Sequence, residues 1–149
     1  MLKARQQQIA LRVALYILHK NGFSAPPKRQ VLNFIKFRHL VHFPDEELQK
    51  RWEGDHDTIW ENDIAWKRKD LFMDGEIDSP ERGQWRLTDI GIKRIENSKS
   101  KWLDLANSEK REILIQNFDY LTNELFEWML KIAKGESLSL SNDKNKSPQ

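Results

Sequence analysis

The stretch that decides the fold is residues 60–91, WENDIAWKRKDLFMDGEIDSPERGQWRLTDIG. Its first half has apolar residues at helical spacing, namely Trp60, Ile64 and Leu71. Gly75 follows at a position where a left-handed residue commonly ends a helix. Two short segments then flank a turn at residues 79–83, and Thr88 is a favourable N-cap for another helix. The order predicts a helix, a β-hairpin and a second helix.

Periodic apolar residues also predict the elements that precede this stretch. An amphipathic helix is expected over residues 2–20, with an inner face formed by Ile9, Val13, Tyr16 and Ile17. Pro26 and Pro27 favour the start of a second helix, because proline is tolerated in a helix's first turn. A short third element is expected at residues 44–47, where a proline precedes three acidic residues.

These elements combine into a chain that is predicted to be mainly α with a small β-hairpin. Residues 1–98 form a winged helix-turn-helix domain, because a helix, a hairpin with a basic tip and a further helix follow one another. Residues 99–134 form a C-terminal helical extension. Residues 135–149 lack aromatic residues and are rich in Ser, Asn and Lys, so a disordered tail is expected there.

A fixed order of residues runs through the deciding stretch. An Asn, an aliphatic residue, a Trp and a Leu lie along the helix, and a Gly, an aliphatic residue, the pattern SP.RG.W.LT and a final Gly follow. The positions are Asn62, Ile64, Trp66, Leu71, Gly75, Ile77, Ser79, Pro80, Arg82, Gly83, Trp85, Leu87, Thr88 and Gly91. In this order the stretch resembles the N-terminal winged-helix domain of Mrr-type restriction proteins. The resemblance is weaker before this stretch and ends near Ile95.

The helix before the hairpin is the predicted DNA-reading element, because the second helix of a helix-turn-helix lies in the major groove. With Ile64 and Leu71 inward, the opposite face carries Asn62, Trp66, Lys69 and Met73, with Lys67 and Arg68 on its flanks. Asn62 could read adenine or make a structural hydrogen bond. We expect Trp66 to pack against the hairpin rather than to stack on a base.

Two further basic sites complete the predicted interface. Arg82 and Gln84 flank the glycine of the hairpin turn, where a side chain can enter the minor groove or bind a phosphate. Lys28 and Arg29 begin the second helix, where side chains and free backbone N–H groups can both bind phosphate. Arg86 could instead pair with an acidic residue of the hairpin. The predicted DNA-binding residues are Lys28, Arg29, Asn62, Lys67, Arg68, Lys69, Arg82 and Gln84.

The net charge of +2 conceals a strong asymmetry. Residues 1–43 contain eight basic residues and no acidic one, whereas residues 44–63 contain eight acidic and two basic residues. A positive patch beside a negative belt is therefore expected. The belt leads into the predicted reading helix and would repel a phosphate backbone. Its carboxylates could instead accept hydrogen bonds from cytosine N4, bind a basic protein or point away from the DNA. Its members before that helix and within its first turns are Glu53, Asp55, Asp57, Glu61 and Asp63.

Several function classes are not expected. Cysteine is absent, so neither a disulfide framework nor a zinc–thiolate site is expected. No metal site and no cofactor are predicted, because the histidines lack ligand spacing and no glycine-rich phosphate loop occurs. Mrr-type proteins carry their nuclease in a separate downstream domain with a D…(E/Q)xK arrangement, which this sequence lacks, so we do not expect an enzyme. Without a signal peptide or an apolar span, we expect a cytoplasmic protein.

The C-terminal extension carries a second pattern. One long helix is predicted over residues 113–134, with a heptad-like seam formed by Leu114, Phe118, Leu121, Leu125, Trp128 and Ile132. We expect this seam to be the interface of a homodimer. The alternative is a helix that folds back and covers the core of its own chain.

The function predicted from the sequence is that of a DNA-binding winged-helix protein without catalytic activity. It would act as a targeting or regulatory module of a restriction or defence system, with double-stranded DNA as its partner. A separately encoded nuclease or another protein could be a second partner. A second hypothesis is a protein-interaction adaptor that uses the acidic belt or the C-terminal helix and does not bind DNA.

Overall fold

The computed structural model describes residues 3–50, 52, 54, 56–109, 111–118 and 120–140. Over these residues the chain is mainly helical and has one two-stranded antiparallel sheet, as the sequence predicts. A short 3-10 helix lies at Asp45–Leu48 between the second and third α-helices. The helices and strands are α1 Lys3–Lys20, α2 Lys28–Phe37, α3 Ile59–Met73, β1 Ile77–Asp78, β2 Arg86–Leu87, α4 Asp89–Asn97, α5 Lys99–Ala106, α6 Arg111–Asn117 and α7 Asn123–Lys134.

Helix α1 is the centre of the core. From Ala10 to Leu18 every residue except Arg12 is buried, so the helix is covered on nearly all sides and not on one face only. It contacts α2, α3, α4, α7 and β2. A helix that is apolar around its whole circumference must be buried in this way. The sequence predicted that only one face of this helix, with Ile9, Val13, Tyr16 and Ile17, would be buried. In the structure α1 is buried on nearly all sides over residues 10–18.

The joint between α3, the hairpin and α4 follows from three residues of the deciding stretch. Gly75, with φ of +80°, ends α3 in the left-handed region that glycine tolerates best. The Thr88 hydroxyl donates to the carbonyl oxygen of Gly75 at 2.6 Å and accepts from the N–H of Gly91 at 3.1 Å. The same threonine thus caps α4 and holds its start against the end of α3.

The hairpin is short and is completed by a segment from elsewhere in the chain. Strand β1 pairs with β2 in the register Ile77–Leu87 and Asp78–Arg86. The residues between the two strands hydrogen-bond to the start of α2: the Trp85 N–H donates to the Pro26 carbonyl at 2.8 Å, and the Lys28 N–H donates to the Gly83 carbonyl at 3.2 Å. The sequence did not predict this third partner of the hairpin.

The prediction of a single long helix over residues 113–134 is wrong, because this region forms two helices. Helix α6 ends at Asn117 and α7 begins at Asn123. Between them the Tyr120 N–H donates to Gln6 Oε1 at 3.0 Å, the Tyr120 carbonyl accepts from the His42 N–H at 2.7 Å, and Thr122 caps α7. These long-range hydrogen bonds compete with the helical ones, and a periodic pattern of apolar residues cannot reveal them.

The seam predicted for a homodimer lies largely inside the chain's own core. Phe118, Leu121, Leu125 and Ile132 are buried, and Leu114 and Trp128 pack half-buried against the same cluster. Helix α7 contacts α1 and α5, so the core is continuous across the predicted domain boundary at residue 98. This arrangement favours the alternative in which the segment covers the core of its own chain.

Part of the predicted tail is also attached to the core. Leu138 is buried, and its carbonyl accepts from Asn21 Nδ2 at 2.9 Å. The Leu140 N–H donates to Asn21 Oδ1 at 2.8 Å. Asn21, which the sequence assigned only to the end of α1, therefore binds residues 138–140 with both ends of its amide. The remainder of the predicted disordered tail, 141–149, lies outside the described residues.

Gly91 supplies a direct test of the joint. A Cβ at this position would overlap the Glu76 carbonyl oxygen and lie 3.1 Å from Leu87 Cδ2. We expect Gly91→Ala to lower the free energy of unfolding by about 2 kcal/mol, as overpacking in a rigid core does, measured by urea denaturation followed by circular dichroism. Ser100→Ala, at an exposed position in α5, is the matched control and should change stability little. Equal stability of both variants would contradict the close approach of α4 to the hairpin.

Candidate nucleic-acid interface

The outward face of α3 carries the side chains that the helical spacing predicts. Ile64 and Leu71 are fully buried, whereas Trp66 is 53% and Met73 75% exposed. Lys69 is exposed on the same face, with its ammonium 4.9 Å from the centroid of the Trp66 ring. More than half of the Trp66 surface is open, and the Lys69 ammonium lies over its ring, so the packing of Trp66 against the hairpin stays a prediction.

Asn62 lies at the N-terminal end of the same face. It is half-buried, and its side-chain amide makes no hydrogen bond to another described residue. The helix start is instead stabilised by a capping box, in which the Thr58 N–H and hydroxyl both donate to Glu61 Oε1, at 3.0 and 2.9 Å. Thr58 and Glu61 thus cap the helix, and the Asn62 side chain does not make the helix-start hydrogen bond that was one of its two predicted roles.

Arg68 connects α3 to the hairpin. Its Nη2 donates to the Ser79 hydroxyl, which in turn donates to the Gln84 carbonyl at 2.8 Å. The guanidinium also lies 5.0 Å from the centroid of the Phe72 ring, and burial lowers the pKa of Arg68. Arg68 therefore has a positioning role, since it fixes the hairpin turn beside the outward face of α3.

The hairpin turn presents one free cation. Arg82 is exposed and has no hydrogen bond or ion pair with another described residue. Gln84 folds onto the turn, where its Oε1 accepts from the Glu81 N–H at 3.1 Å. Arg86 pairs across the strands with Asp78, at 2.7 and 2.8 Å, and this hydrogen bonding lowers the pKa of Asp78. Of the basic residues at the hairpin, Arg82 is therefore the one without a carboxylate partner among the described residues.

The start of α2 is occupied by the acidic belt. Lys28 Nζ lies 2.6 Å from Asp57 Oδ2, and Arg29 pairs with both Asp57 and Glu61. Burial alone would raise the pKa of Glu61, but hydrogen bonds from Thr58 and Arg29 outweigh it and lower that pKa. The basic and acidic segments that the sequence placed side by side thus neutralise one another here, and Lys28 and Arg29 are not free cations.

The remaining predicted residues are distributed around this surface. Lys67 is half-buried and lies 4.0 Å from Asp70 on its own helix. Asp63 is half-buried on α3. Glu53 and Asp55, two members of the predicted acidic belt, lie outside the described residues. The structure therefore brings Asn62, Lys69 and Arg82 to an open surface and gives Lys28, Arg29 and Lys67 carboxylate neighbours.

A buried glutamate was missed by the sequence analysis. Glu76 is 1% exposed, and its carboxylate accepts two hydrogen bonds from Arg12 at 2.9 Å and one from Arg94 at 3.1 Å. Burial raises its pKa, but the hydrogen bonds and charges of Arg12 and Arg94 outweigh burial and lower it. The one available signal was Arg12 itself, because a lone arginine within an apolar helix indicates a buried partner.

The comparison with known families agrees with this architecture. The model of the Mrr N-terminal domain matches residues 11–97, which run from α1 to the last residue of α4. The chain belongs to this family. No curated protein and no solved structure matched the chain. In this Mrr N-terminal domain the matched region contains α3, the hairpin and the Glu76 cluster, and helices α5–α7 follow it.

Over the described ranges, no group of three or more His, Asp or Glu side chains is placed to hold a metal ion. None of the helices in those ranges combines the length and the apolar character that a membrane crossing requires.

The Glu76 cluster predicts a pH dependence. Because the pKa of Glu76 is lowered in the folded state, its contribution to stability is complete above the ordinary value of 4.5 and is lost as the pH falls through the lower folded value. We expect acid to destabilise the wild type below about pH 4. Glu76→Gln should be about 3 kcal/mol less stable at pH 7, because two guanidinium groups lose their buried partner, and should lose less stability in acid.

Urea denaturation between pH 3 and pH 7 measures both effects. Glu81→Gln, at an exposed position of the hairpin turn, is the control and should follow the wild type throughout. A Glu76→Gln variant with wild-type stability at pH 7, or with an unchanged pH profile, would contradict the role of this carboxylate.

Proposed function

We propose that this protein binds double-stranded DNA as a winged helix, with α3 in the major groove and the hairpin turn as the wing. The observation that carries the proposal is the placement of Lys69 and Arg82. Both are exposed, neither has a carboxylate partner among the described residues, and the Arg68–Ser79 hydrogen bond holds the elements that bear them together. A helix and a turn fixed in this way can contact a groove and the adjacent phosphates at the same time.

The pairing of charges decides which cations matter. A cation already bound to a carboxylate gains less from a phosphate, because the existing partner must first be displaced. Lys28 and Arg29 therefore contribute less than the sequence suggested, and Lys69 and Arg82 contribute more. Asn62, whose amide is not used within the described fold, could bind the edge of an adenine. Affinity from so few phosphate contacts should be modest and strongly dependent on salt.

The family supports the biological setting of the proposal. Membership of the Mrr N-terminal domain family links the chain to Mrr-type restriction systems. We therefore infer that it serves as a non-catalytic targeting or regulatory module of such a system, in the cytoplasm, with a nuclease on a separate polypeptide as a possible partner. In this role the module would supply contact with DNA, and the chemistry would come from the partner.

A protein-interaction adaptor is the second candidate, and one observation favours it. Trp66 and Met73 are large apolar side chains that lie exposed on α3. Aromatic residues and methionine are enriched in protein interfaces. The two functions differ in one measurable property, because only the first requires the protein to bind duplex DNA.

The first measurement removes the free cations. We expect Arg82→Ala and Lys69→Ala each to weaken binding to a duplex, and each to reduce the slope of log affinity against log salt by about one. Fluorescence anisotropy with a labelled duplex between about 50 and 200 mM salt gives both quantities. Lys134→Ala, at an exposed position at the end of α7, is the matched control and should bind DNA like the wild type.

Thermal stability should be nearly unchanged in all of these variants, because the substituted side chains are exposed. An Arg82→Ala variant that melts well below the wild type would show that Arg82 supports the fold and would contradict the proposed wing. Failure of the wild type to bind duplex DNA at low salt would leave the adaptor as the better hypothesis.

The second measurement uses a variant in which Lys28 and Arg29 lose a carboxylate partner. Asp57→Asn removes a carboxylate from Lys28 and Arg29, so we expect the variant to bind duplex DNA several-fold more tightly, with a steeper dependence on salt. Asp104→Asn, at an exposed position on α5, changes the net charge equally and is the control. Equal affinity of the two variants would place the start of α2 outside the DNA-binding surface.

A further inference from the structure

A groove of about 610 Å³ lies away from the proposed DNA-binding surface. Its walls come from α1, α4 and α5, and the buried Glu76 lies in its floor. None of the residues proposed to contact DNA lines it. The volume lies within the range of small-molecule binding sites, roughly 300–1,000 Å³.

The groove has an excess of positive charge. Four cationic side chains line it, Arg5, Arg12, Arg94 and Lys101, against the carboxylates of Asp74 and Glu76. Arg12 and Arg94 share Glu76, and each retains N–H groups that this carboxylate does not use. Arg5 on α1 and Lys101 on α5 are exposed and have no hydrogen bond or ion pair with another described residue.

This distribution defines the charge of a ligand. Two cations remain unneutralised after the two carboxylates are counted, and like charges that line one groove repel each other unless an anion separates them. A phosphate monoester carries about two negative charges near pH 7. Its oxygens accept hydrogen bonds from guanidinium and ammonium groups, which are the strongest donors that side chains provide.

The rest of the lining indicates that the ligand is larger than phosphate. Ile9, Trp102 and Leu105 form an apolar part of the wall beside the charged one. Gln8 and Asn97 add neutral amides that can bind the polar edge of an organic group. An apolar wall with a few convergent polar groups is the usual composition of a small-molecule site.

We propose that this groove binds a phosphate monoester of nucleotide size, with Arg5 and Lys101 holding the phosphate over the Arg12–Glu76–Arg94 cluster. The monoester could belong to a free mononucleotide or to the 5′-phosphate end of a nucleic acid strand. Both sources share the chemistry that the groove recognises.

Isothermal titration of the full chain with AMP and with adenosine tests the proposal. AMP should bind, and adenosine should bind about tenfold more weakly or worse, because it lacks the charged group. Arg5→Gln combined with Lys101→Gln should lower the affinity for AMP by about tenfold or more. The matched control combines Lys36→Gln with Lys93→Gln, which remove the same charge from exposed positions outside the groove and should leave AMP binding unchanged. Equal affinity for AMP and adenosine, or an equal loss in both double variants, would overturn the proposal.

A measurement on the wild type does not depend on the folding of any variant. Addition of AMP should shift the proton–nitrogen NMR signals of backbone amides along residues 5–12 and 94–105. Shifts confined to α3 and the hairpin turn would overturn the proposal. The Lys69→Ala and Arg82→Ala variants should bind AMP like the wild type, so failure of the DNA proposal and failure of this one can be told apart.

Oligothymidylate with and without a 5′-phosphate distinguishes the two sources. The site is assigned to a strand end if the phosphorylated strand binds more tightly than both the unphosphorylated strand and AMP. This tighter binding should be lost in the variant that combines Arg5→Gln with Lys101→Gln. An affinity for AMP at least as high as that for the phosphorylated strand assigns it to a free nucleotide.

Discussion

Glu76 is the residue on which the arrangement of the other elements depends. Its carboxylate binds Arg12 of α1 and Arg94 of α4, and its carbonyl accepts the Thr88 N–H at 3.0 Å and lies against Gly91. One residue therefore connects α1, the hairpin and α4. A buried carboxylate is stable only when its partners satisfy its oxygens, and the paired hydrogen bonds from Arg12 meet that condition. The position of the hairpin relative to the core follows from this single site.

The pairing of charges has a comparable effect on the surface. The sequence predicts a positive patch from residues 1–43 and a separate negative belt from residues 44–63. The fold instead brings Lys28 and Arg29 against Asp57 and Glu61. The cations at the start of α2 are thereby paired with carboxylates, whereas Lys69 and Arg82 have no such partner among the described residues. A fold of modest net charge can thus have a small and well-defined contact surface for phosphate.

Local rules predicted the elements whose ends are set by neighbouring residues. Thr88 caps α4, Gly75 ends α3, and the hairpin forms between them, because each of these features depends on residues only a few positions apart. The outward face of α3 also followed from helical spacing alone. These features account for the part of the fold that carries the candidate interface.

The features that the sequence did not reveal all depend on contacts between distant residues. Tyr120 interrupts the expected C-terminal helix because it hydrogen-bonds to Gln6 and His42, far away in the chain. The partners of Glu76 and of Lys28 are distant in the same way.

The segment at residues 26–28, which hydrogen-bonds to the hairpin turn, has a consequence for association between chains. Pro27 pairs with Gln84 through an isolated bridge beside the two-stranded sheet, and an open edge normally offers N–H and carbonyl groups to a strand from another molecule. Pro27 has no N–H, and its carbonyl accepts the Val31 N–H at 3.2 Å within the start of α2. The carbonyl of Pro26 is bound to Trp85. A foreign strand therefore finds neither a donor nor a free acceptor at Pro27, and this side of the sheet is protected against edge-to-edge aggregation.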